Sequence, residues 1–285
     1  MSENLKALQK RGAEILKNSG IDSAAFEVRL LLEQTFSVSY ADIITNPKLE
    51  PDRRKAGRFI SACQRRANGE PLQYILGSWE FMGLEFEVNP SVLIPRSDTE
   101  TLVEYIIERY SGAPRVLDIC CGSGCIGLAV KHFLPESRVT LADKSARALT
   151  VAERNACKLG LDVKLIQADV TRSYKKYFAD GEFDIIVSNP PYIKSSDMEK
   201  LPREVLHEPR IALDGGEDGM TFYRALAIGW AGALKADGEM IFEAGYDTAR
   251  DIYMLFAECG FRDINKKRDL GGITRLIAAK RGFWE

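Results

Sequence analysis

The sequence predicts an α/β protein: a helical N-terminal region followed by a doubly wound, largely parallel sheet. Three observations carry that prediction. Residues 1 to about 75 repeat apolar side chains at helical spacing. From Arg115 onward, short apolar runs alternate with helix-length segments. Successive runs end in glycine, aspartate or asparagine, at the strand ends where open α/β sheets bind ligands.

Leu5, Leu8, Gly12, Ile15 and Leu16 line one face of a first helix, with Gly20 as its stop. A second helix begins near Asp22-Ser23 and carries Phe26, Leu30, Leu31 and Phe36. Pro51 suits the first turn of a third, with Phe59, Ile60 and Cys63 on its apolar side. That helix also carries Arg53, Arg54, Lys55, Arg58, Arg65 and Arg66, either a solvated face or a docking surface. Trp79 to Ile94 alternates around Gly83, which predicts a β-hairpin linking two domains. Arg115–Cys120, Arg138–Asp143, Val163–Ala168, Phe183–Ser188 and Gly238–Ala244 are the expected parallel strands. Gly260–Asp269 and Thr274–Lys280, around Gly271-Gly272, read as an antiparallel hairpin at a sheet edge.

Bulk properties exclude several classes. At 285 residues, 45% hydrophobic and 28% charged, the chain has the composition of a globular protein with an ample core. A net charge of −2 argues against a protein that coats nucleic acid, which needs a lysine and arginine excess. No apolar run reaches the length of a membrane span, and Met1-Ser2-Glu3-Asn4 lacks a basic-then-apolar signal pattern, so a cytoplasmic protein is expected. The six cysteines include Cys120, Cys121 and Cys125, but no Cys-x2-Cys pair accompanies them, and the only histidines are His132 and His207. Reduced, mostly buried thiols are expected rather than a metal centre, and two histidines make a Ser-His or Cys-His catalytic system a poor fit.

The chemistry concentrates at strand ends. Val116-Leu117-Asp118-Ile119-Cys120-Cys121-Gly122-Ser123-Gly124 is a first strand running into a small-residue loop, whose glycines let a ligand approach the backbone. The next strand ends in Asp143, about twenty residues on, where a carboxylate accepts from ribose hydroxyls. Asp169 closes the third strand and is placed to accept from an adenine amino group, with Val170 against the ring. Gly127 stands at the third glycine of a dinucleotide fingerprint, so these features alone fit a dehydrogenase or a methyltransferase. The fourth strand decides against the dehydrogenase, because it delivers Asn189-Pro190-Pro191-Tyr192. Two prolines remove two N–H donors, so Asn189 Oδ1 and the Pro190 carbonyl accept both hydrogens of a planar –NH2 group, and Tyr192 offers an aromatic face.

In this arrangement the residues resemble class I S-adenosylmethionine-dependent methyltransferases that act on planar –NH2 nitrogens. That resemblance implies a Rossmann-like seven-stranded sheet with its last strand antiparallel, in agreement with the tail. Asn-Pro-Pro-Tyr occurs in such enzymes for glutamine, for guanine in RNA and for adenine in DNA. Other segments narrow the choice: Glu70-Pro71-Leu72-Gln73-Tyr74-Ile75-Leu76-Gly77, Val92-Leu93-Ile94-Pro95-Arg96-Ser97-Asp98-Thr99-Glu100, and Glu208-Pro209-Arg210-Ile211-Ala212-Leu213-Asp214-Gly215-Gly216-Glu217-Asp218-Gly219. With Phe222-Tyr223-Arg224, they are similar to the bacterial release factor glutamine methyltransferase family from about residue 70 to the end, and the helical N-terminal region matches in kind.

The resemblance implies methylation of the glutamine side-chain amide in the Gly-Gly-Gln loop of class I peptide chain release factors, with S-adenosyl-L-methionine as cofactor. Asp118, Cys120, Cys121, Gly122, Ser123, Gly124, Asp143, Asp169, Val170 and Asn189 would then bind the cofactor. Asn189, Pro190, Pro191 and Tyr192 would bind the substrate, with Asn189, Pro190 and Tyr192 catalytic. The implied domains are a helical substrate-recognition domain over 1–77, a hairpin linker over 78–95 and a methyltransferase domain over 96–285. Release factors are the expected partners of a monomer with no membrane and no stable nucleic-acid partner. A ribosomal-protein glutamine methyltransferase and a nucleic-acid amino methyltransferase are the alternatives. The chain departs from the family's pattern at Cys120, usually glycine, at Ser97-Asp98, usually Pro-Glu, at Val170, an aromatic in some members, and at His207, often tyrosine.

An amide nitrogen is a poor nucleophile, and the motif offers no base strong enough to ionise it. Catalysis by positioning is therefore expected: two acceptors aim the nitrogen at the sulfonium methyl, roughly 3–3.5 Å away. The same acceptors favour positive charge developing on nitrogen, and proton loss follows. No metal is required. Arg96 and Glu100 either organise the cofactor-proximal wall or pair with each other, with the structural role favoured.

Overall fold

The computed structural model describes residues 4–46, 51–269 and 271–282, so the N-terminal reading of Met1-Ser2-Glu3 lies outside the described residues. The chain divides into two compact units, Met1–Gly77 with Pro202–His207, and Ser78–Leu201 with Glu208–Glu285. Among the described residues no helix is long and apolar enough to cross a membrane.

The smaller unit is helical: α1 (Leu5–Asn18), α2 (Ala24–Phe36), α3 (Tyr40–Thr45), α4 (Arg53–Ala67) and α5 (Leu72–Leu76). Leu5, Leu8, Leu16, Val28, Leu31, Leu32, Phe59 and Cys63 form its core, as the helical spacing requires. Gly12 lets α1 meet α4 closely, since a Cβ there would stand 2.7 Å from Phe59 Cζ. Asp52 caps α4 by accepting from the Arg54 and Lys55 N–H groups at 2.8 and 3.1 Å, so Pro51 precedes the cap instead of occupying the first turn. Phe26 is 49% exposed, against expectation, and lies under the Arg29 guanidinium. The six-residue α3 escaped the periodicity because it is too short to show a face; its signal is the Ser39/Asp42 capping box. Arg66 leaves the basic face altogether: it is buried, pairing with Glu27 at 2.5 and 3.1 Å and with Glu204 at 2.6 Å.

The larger unit opens with the hairpin β1 (Ser78–Phe81) and β2 (Leu84–Glu87), which turns at Met82-Gly83. It is no free linker. Phe81 and Phe86 are buried in the larger unit's core, and the Glu87 N–H donates to Asn155 Oδ1 at 2.6 Å. After α6 (Ser97–Arg109) the strands alternate with helices: β3 (Arg115–Ile119), α7 (Cys125–Phe133), β4 (Arg138–Asp143), α8 (Ala146–Leu159), β5 (Lys164–Gln167), β6 (Phe183–Ser188), α9 (Thr221–Gly229), β7 (Leu234–Glu243), α10 (Ala249–Glu258), β8 (Arg262–Arg268) and β9 (Thr274–Lys280). They form a seven-stranded sheet of order β5-β4-β3-β6-β7-β9-β8, with β9 antiparallel to both neighbours. The tail hairpin therefore enters the sheet through its second strand, leaving β8 at the edge. β7 starts four positions before the expected Gly238. Ala236-Asp237-Gly238 forms an irregularity inside the strand, with Asp237 at φ 64°.

Residues alternate across the sheet with period two. Leu117, Ile186, Met240, Phe242 and Ile277 join α9 and α10 on one face, while Val116, Ile185, Val187, Ile241 and Leu276 join α6, α7 and α8 on the other. The first crossover depends on Gly127. A Cβ there would run into the Leu141 side chain and stand 3.0 Å from Asp118 Cβ. Gly127→Ala should therefore destabilise the protein by about 1–3 kcal/mol, the range for overpacking, despite alanine's better helix propensity. Gly57 in α4 has nothing within 4 Å of a Cβ position, so Gly57→Ala should stabilise by about 0.5–1 kcal/mol. Denaturant titration of both variants should return opposite signs.

Candidate active site

The carboxyl ends of the parallel strands border one cavity in the larger unit. β3 opens directly into Cys120–Gly124, where Cys120, Gly122 and Gly124 take φ of 62°, 55° and 79°. That left-handed backbone turns the chain sharply into α7. Glycine adopts it freely, whereas a Cβ costs about 1–2 kcal/mol, so Cys120 occupies a position that favours glycine. Gly122 lines the cavity, and nothing stands within 4 Å of where its Cβ would be, which leaves the loop backbone open to a ligand. Asp143 closes β4 opposite this loop. Its Oδ2 accepts from the Gly122 N–H at 3.0 Å and its Oδ1 from the Ser145 N–H at 2.8 Å. Burial nevertheless raises its carboxyl above the usual range.

Asp169 and Val170 follow β5 and line the same cavity. Asp169 accepts from the Thr171 N–H and hydroxyl at 3.0 and 2.7 Å and pairs with Lys144 at 3.0 Å. Burial pushes its carboxyl up, but these partners outweigh it and hold the carboxyl below its usual range. Val170 is buried and contributes an apolar wall.

Asn189 emerges from β6, half-buried on the cavity wall with Pro191 beside it. Its Nδ2 donates to Thr99 Oγ1 at 3.3 Å, and the Thr99 hydroxyl donates to Glu243 at the end of β7. Pro190 and Tyr192 do not line this cavity: Pro190 is buried, and the Tyr192 ring lies on Gly245, where a Cβ would come within 3.0 Å of its Cδ2. The loop backbone is held from behind by the Asp214–Gly219 segment. Ile193 N–H donates to Leu213 O at 2.9 Å, and Gly215 N–H donates to Ile193 O at 2.8 Å. A Cβ at Gly215 would stand 2.6 Å from Tyr192 Cα, and one at Gly219 2.5 Å from Tyr192 O.

Cys120, Cys121, Gly122, Ser123, Asp143, Asp169, Val170, Asn189 and Pro191 thus meet at one cavity, while other expected residues do not reach it. Gly124 faces Leu141, Leu128 and Ala152 in the core. Asp118 is fully buried behind the wall, where its Oδ2 accepts from the Gly127 N–H at 2.8 Å. Among the described residues its Oδ1 has no hydrogen-bond partner, and burial pushes the carboxyl to about 7. Arg96 and Glu100 do not pair with each other. Arg96 binds Glu208, whereas Glu100 accepts from the Met82 N–H at 2.7 Å. The thiols are wall rather than chemistry, since burial raises Cys120, Cys121 and Cys125, the last to about 12. Sequence reasoning missed Thr99 and Glu243 as neighbours of Asn189. Glu243 is the last residue but one of the expected strand Gly238–Ala244, and that position was its one available signal.

Residues 97–220 match the methyltransferase small domain family and residues 7–77 match the PrmC N-terminal domain family. A release factor glutamine methyltransferase of Geobacter sulfurreducens is 40% identical over 270 residues, covering 94% of this chain and 93% of the relative. Another, from Moorella thermoacetica, is 40% identical over 271 residues, covering 93% and 94%. The crystal structure of a methyltransferase from Pyrococcus furiosus superposes with a TM-score of 0.54 at 16% identity, covering 81% of this chain and all of that one (100%), a likeness of fold alone.

The methyl donor of this chain is S-adenosylmethionine, and the cavity's residues suit it. The open Gly122 backbone, the Asp143 carboxylate and the apolar Val170 wall match a ribose and a purine. Asp143→Ala should weaken S-adenosylmethionine binding by about 1.5–3 kcal/mol, the range for a hydrogen bond involving a charged group. Calorimetric titration reads this directly, and unchanged affinity in a folded variant would remove Asp143 from the site.

Proposed function

The chain belongs to the release factor glutamine methyltransferase family, and from that premise we propose that it methylates the glutamine amide in the Gly-Gly-Gln loop of class I peptide chain release factors. Its activity class, S-adenosylmethionine-dependent protein-glutamine N5-methyl transfer, comes with the family. The observation that carries the substrate proposal is the placement of Asn189 on the cavity wall with its Nδ2 already committed to Thr99. Oδ1 is then the end free to accept from an –NH2 group.

Bound S-adenosylmethionine supplies an electrophilic methyl group on a sulfonium centre. A carboxylate is far too weak a base to ionise an amide, so Asn189 works by position. Its Oδ1 accepts one substrate N–H. With Nδ2 held by Thr99, that dipole is fixed before the substrate arrives, and it gains strength as positive charge grows on the nitrogen. Gly215 and Gly219 hold the loop that carries it. Tyr192 is assigned to the aromatic edge of the loop, packed on Gly245.

The smaller unit is assigned to gripping the release factor. Arg53, Arg54, Arg58 and Arg65 are exposed along α4, and Arg58 and Arg65 border a shallow hollow with Gln34 and Ser61.

Asn189→Ala should lower single-turnover methyl transfer on the order of 10²–10³-fold, by analogy with removing one preorganised polar group, while S-adenosylmethionine affinity changes little. A wild-type rate in that variant would end the positioning mechanism. Mass spectrometry of purified release factors after incubation with enzyme and S-adenosylmethionine tests the substrate; labelling of ribosomal protein, DNA or ribosomal RNA in place of the release-factor glutamine would overturn it. Charge reversal at Arg54 and Arg58 should raise KM for intact release factor and reduce the salt sensitivity of association, yet leave a short Gly-Gly-Gln peptide unaffected. Equal losses on both substrates would instead indicate a folding defect.

A further inference from the structure

We infer that Thr99 and Glu243 form a positioning pair that decides which end of the Asn189 side-chain amide faces the substrate, an inference that rests on the role proposed above for Asn189. The two ends of an asparagine amide are nearly equal in shape, so packing alone does not choose between them. Hydrogen bonding does. Thr99, in the first turn of α6, is 3% exposed, and Glu243, at the end of β7, is 2% exposed. The Thr99 hydroxyl has one hydrogen, and that hydrogen goes to Glu243 Oε2. An ionised carboxylate only accepts, so the Thr99 oxygen facing Asn189 is left with lone pairs alone. Only the Nδ2 end of the amide can pair with it, as it does at 3.3 Å. Reversing the amide would set Oδ1 against those lone pairs and turn an N–H donor toward the donors of the substrate. Glu243 thus fixes the polarity of the acceptor without touching the substrate.

The groups around Glu243 define its charge state. Arg96 and Asp98 face it from the start of α6, Arg275 from β9, Tyr192 from the loop after β6 and Cys125 from α7. The Tyr223 hydroxyl of α9 donates to the Glu243 backbone carbonyl at 2.8 Å. Arg275 is already engaged with Asp98 and Asp269, each at 2.9 Å. Burial pushes the Glu243 carboxyl up to about 7, against the Thr99 hydrogen bond and the two arginines. Below that pH the carboxyl carries its own proton and donates, the Thr99 hydrogen is released, and either end of the Asn189 amide can pair with the hydroxyl. The active form is the ionised one, so methyl transfer declines as pH falls through neutrality.

Single-turnover methyl transfer to intact release factor, followed from pH 6 to 8 (the interval of roughly one unit on either side of the Glu243 value), tests the pair. The wild type should show an acid limb. Thr99→Val, of equal shape, should lower the rate roughly 2- to 10-fold, the effect of the lost Asn189 hydrogen bond, and abolish the limb. Thr99→Ser, which restores the hydroxyl, should recover both. Glu243→Gln, neutral at every pH, should give a reduced and pH-independent rate, and it decides the matter if Thr99→Val does not fold. S-adenosylmethionine affinity should be unchanged throughout. An acid limb retained in Thr99→Val or Glu243→Gln, or a rate loss in Thr99→Val matched by an equal loss of cofactor affinity, overturns the pair. A wild-type rate in Asn189→Ala overturns the proposed role of Asn189 instead, whatever Thr99 and Glu243 do.

Discussion

Parallel register at the centre of the sheet is the constraint on which the site depends. Val116 of β3 pairs with Val139 of β4 on one side and with Ile185 of β6 on the other, all running in one direction. Three chain segments far apart in sequence therefore finish at one rim, and each finishes in a different polar group. The loop after β3 presents open backbone, β4 presents Asp143 and β6 presents Asn189. A one-residue slip in any of these pairings would exchange core and opposite-face side chains along the whole strand, so the packing of both faces enforces the alignment of the rim.

The same burial that sets the register also sets the electrostatics behind the cavity. Glu243, Asp118 and Glu239 all lie in the larger unit's interior, and each is compensated chiefly by hydrogen-bond donors rather than by a directly paired cation. Glu239 accepts from the Tyr105 and Tyr110 hydroxyls at 2.7 and 2.8 Å. Neutral donors of this kind hold a carboxylate in one geometry without a paired cation beside it.

Much of this architecture was legible in the chain because it rests on local pattern. The five parallel strands were found near their observed places by apolar runs, and Asp143 and Asn189 stood out because polar residues end those runs. What stayed hidden depends on contacts made across the fold. The role of Asp118 as an anchor for Gly127, the turn of Arg66 toward Glu27 and Glu204, and the link from Asn189 through Thr99 to Glu243 join residues many positions apart. The hairpin's place in the core was likewise invisible, since alternation reveals that Phe81 and Phe86 face inward but not what they face. Short helices such as α3 and α5 fail for another reason: one or two turns do not establish a period.

The main chain of Pro191–Tyr192 touches the main chain of Gly215 and Gly219 so closely that a methyl group has no room between them. The Asn-Pro-Pro-Tyr loop is thus half of a two-part joint whose other half is written more than twenty residues downstream. Transplanted alone onto another α/β sheet, those four residues would lose their seat. The smallest portable unit is the loop together with its glycine bed, and the two halves are bound to change in step, because either one alone dictates how near the other can come.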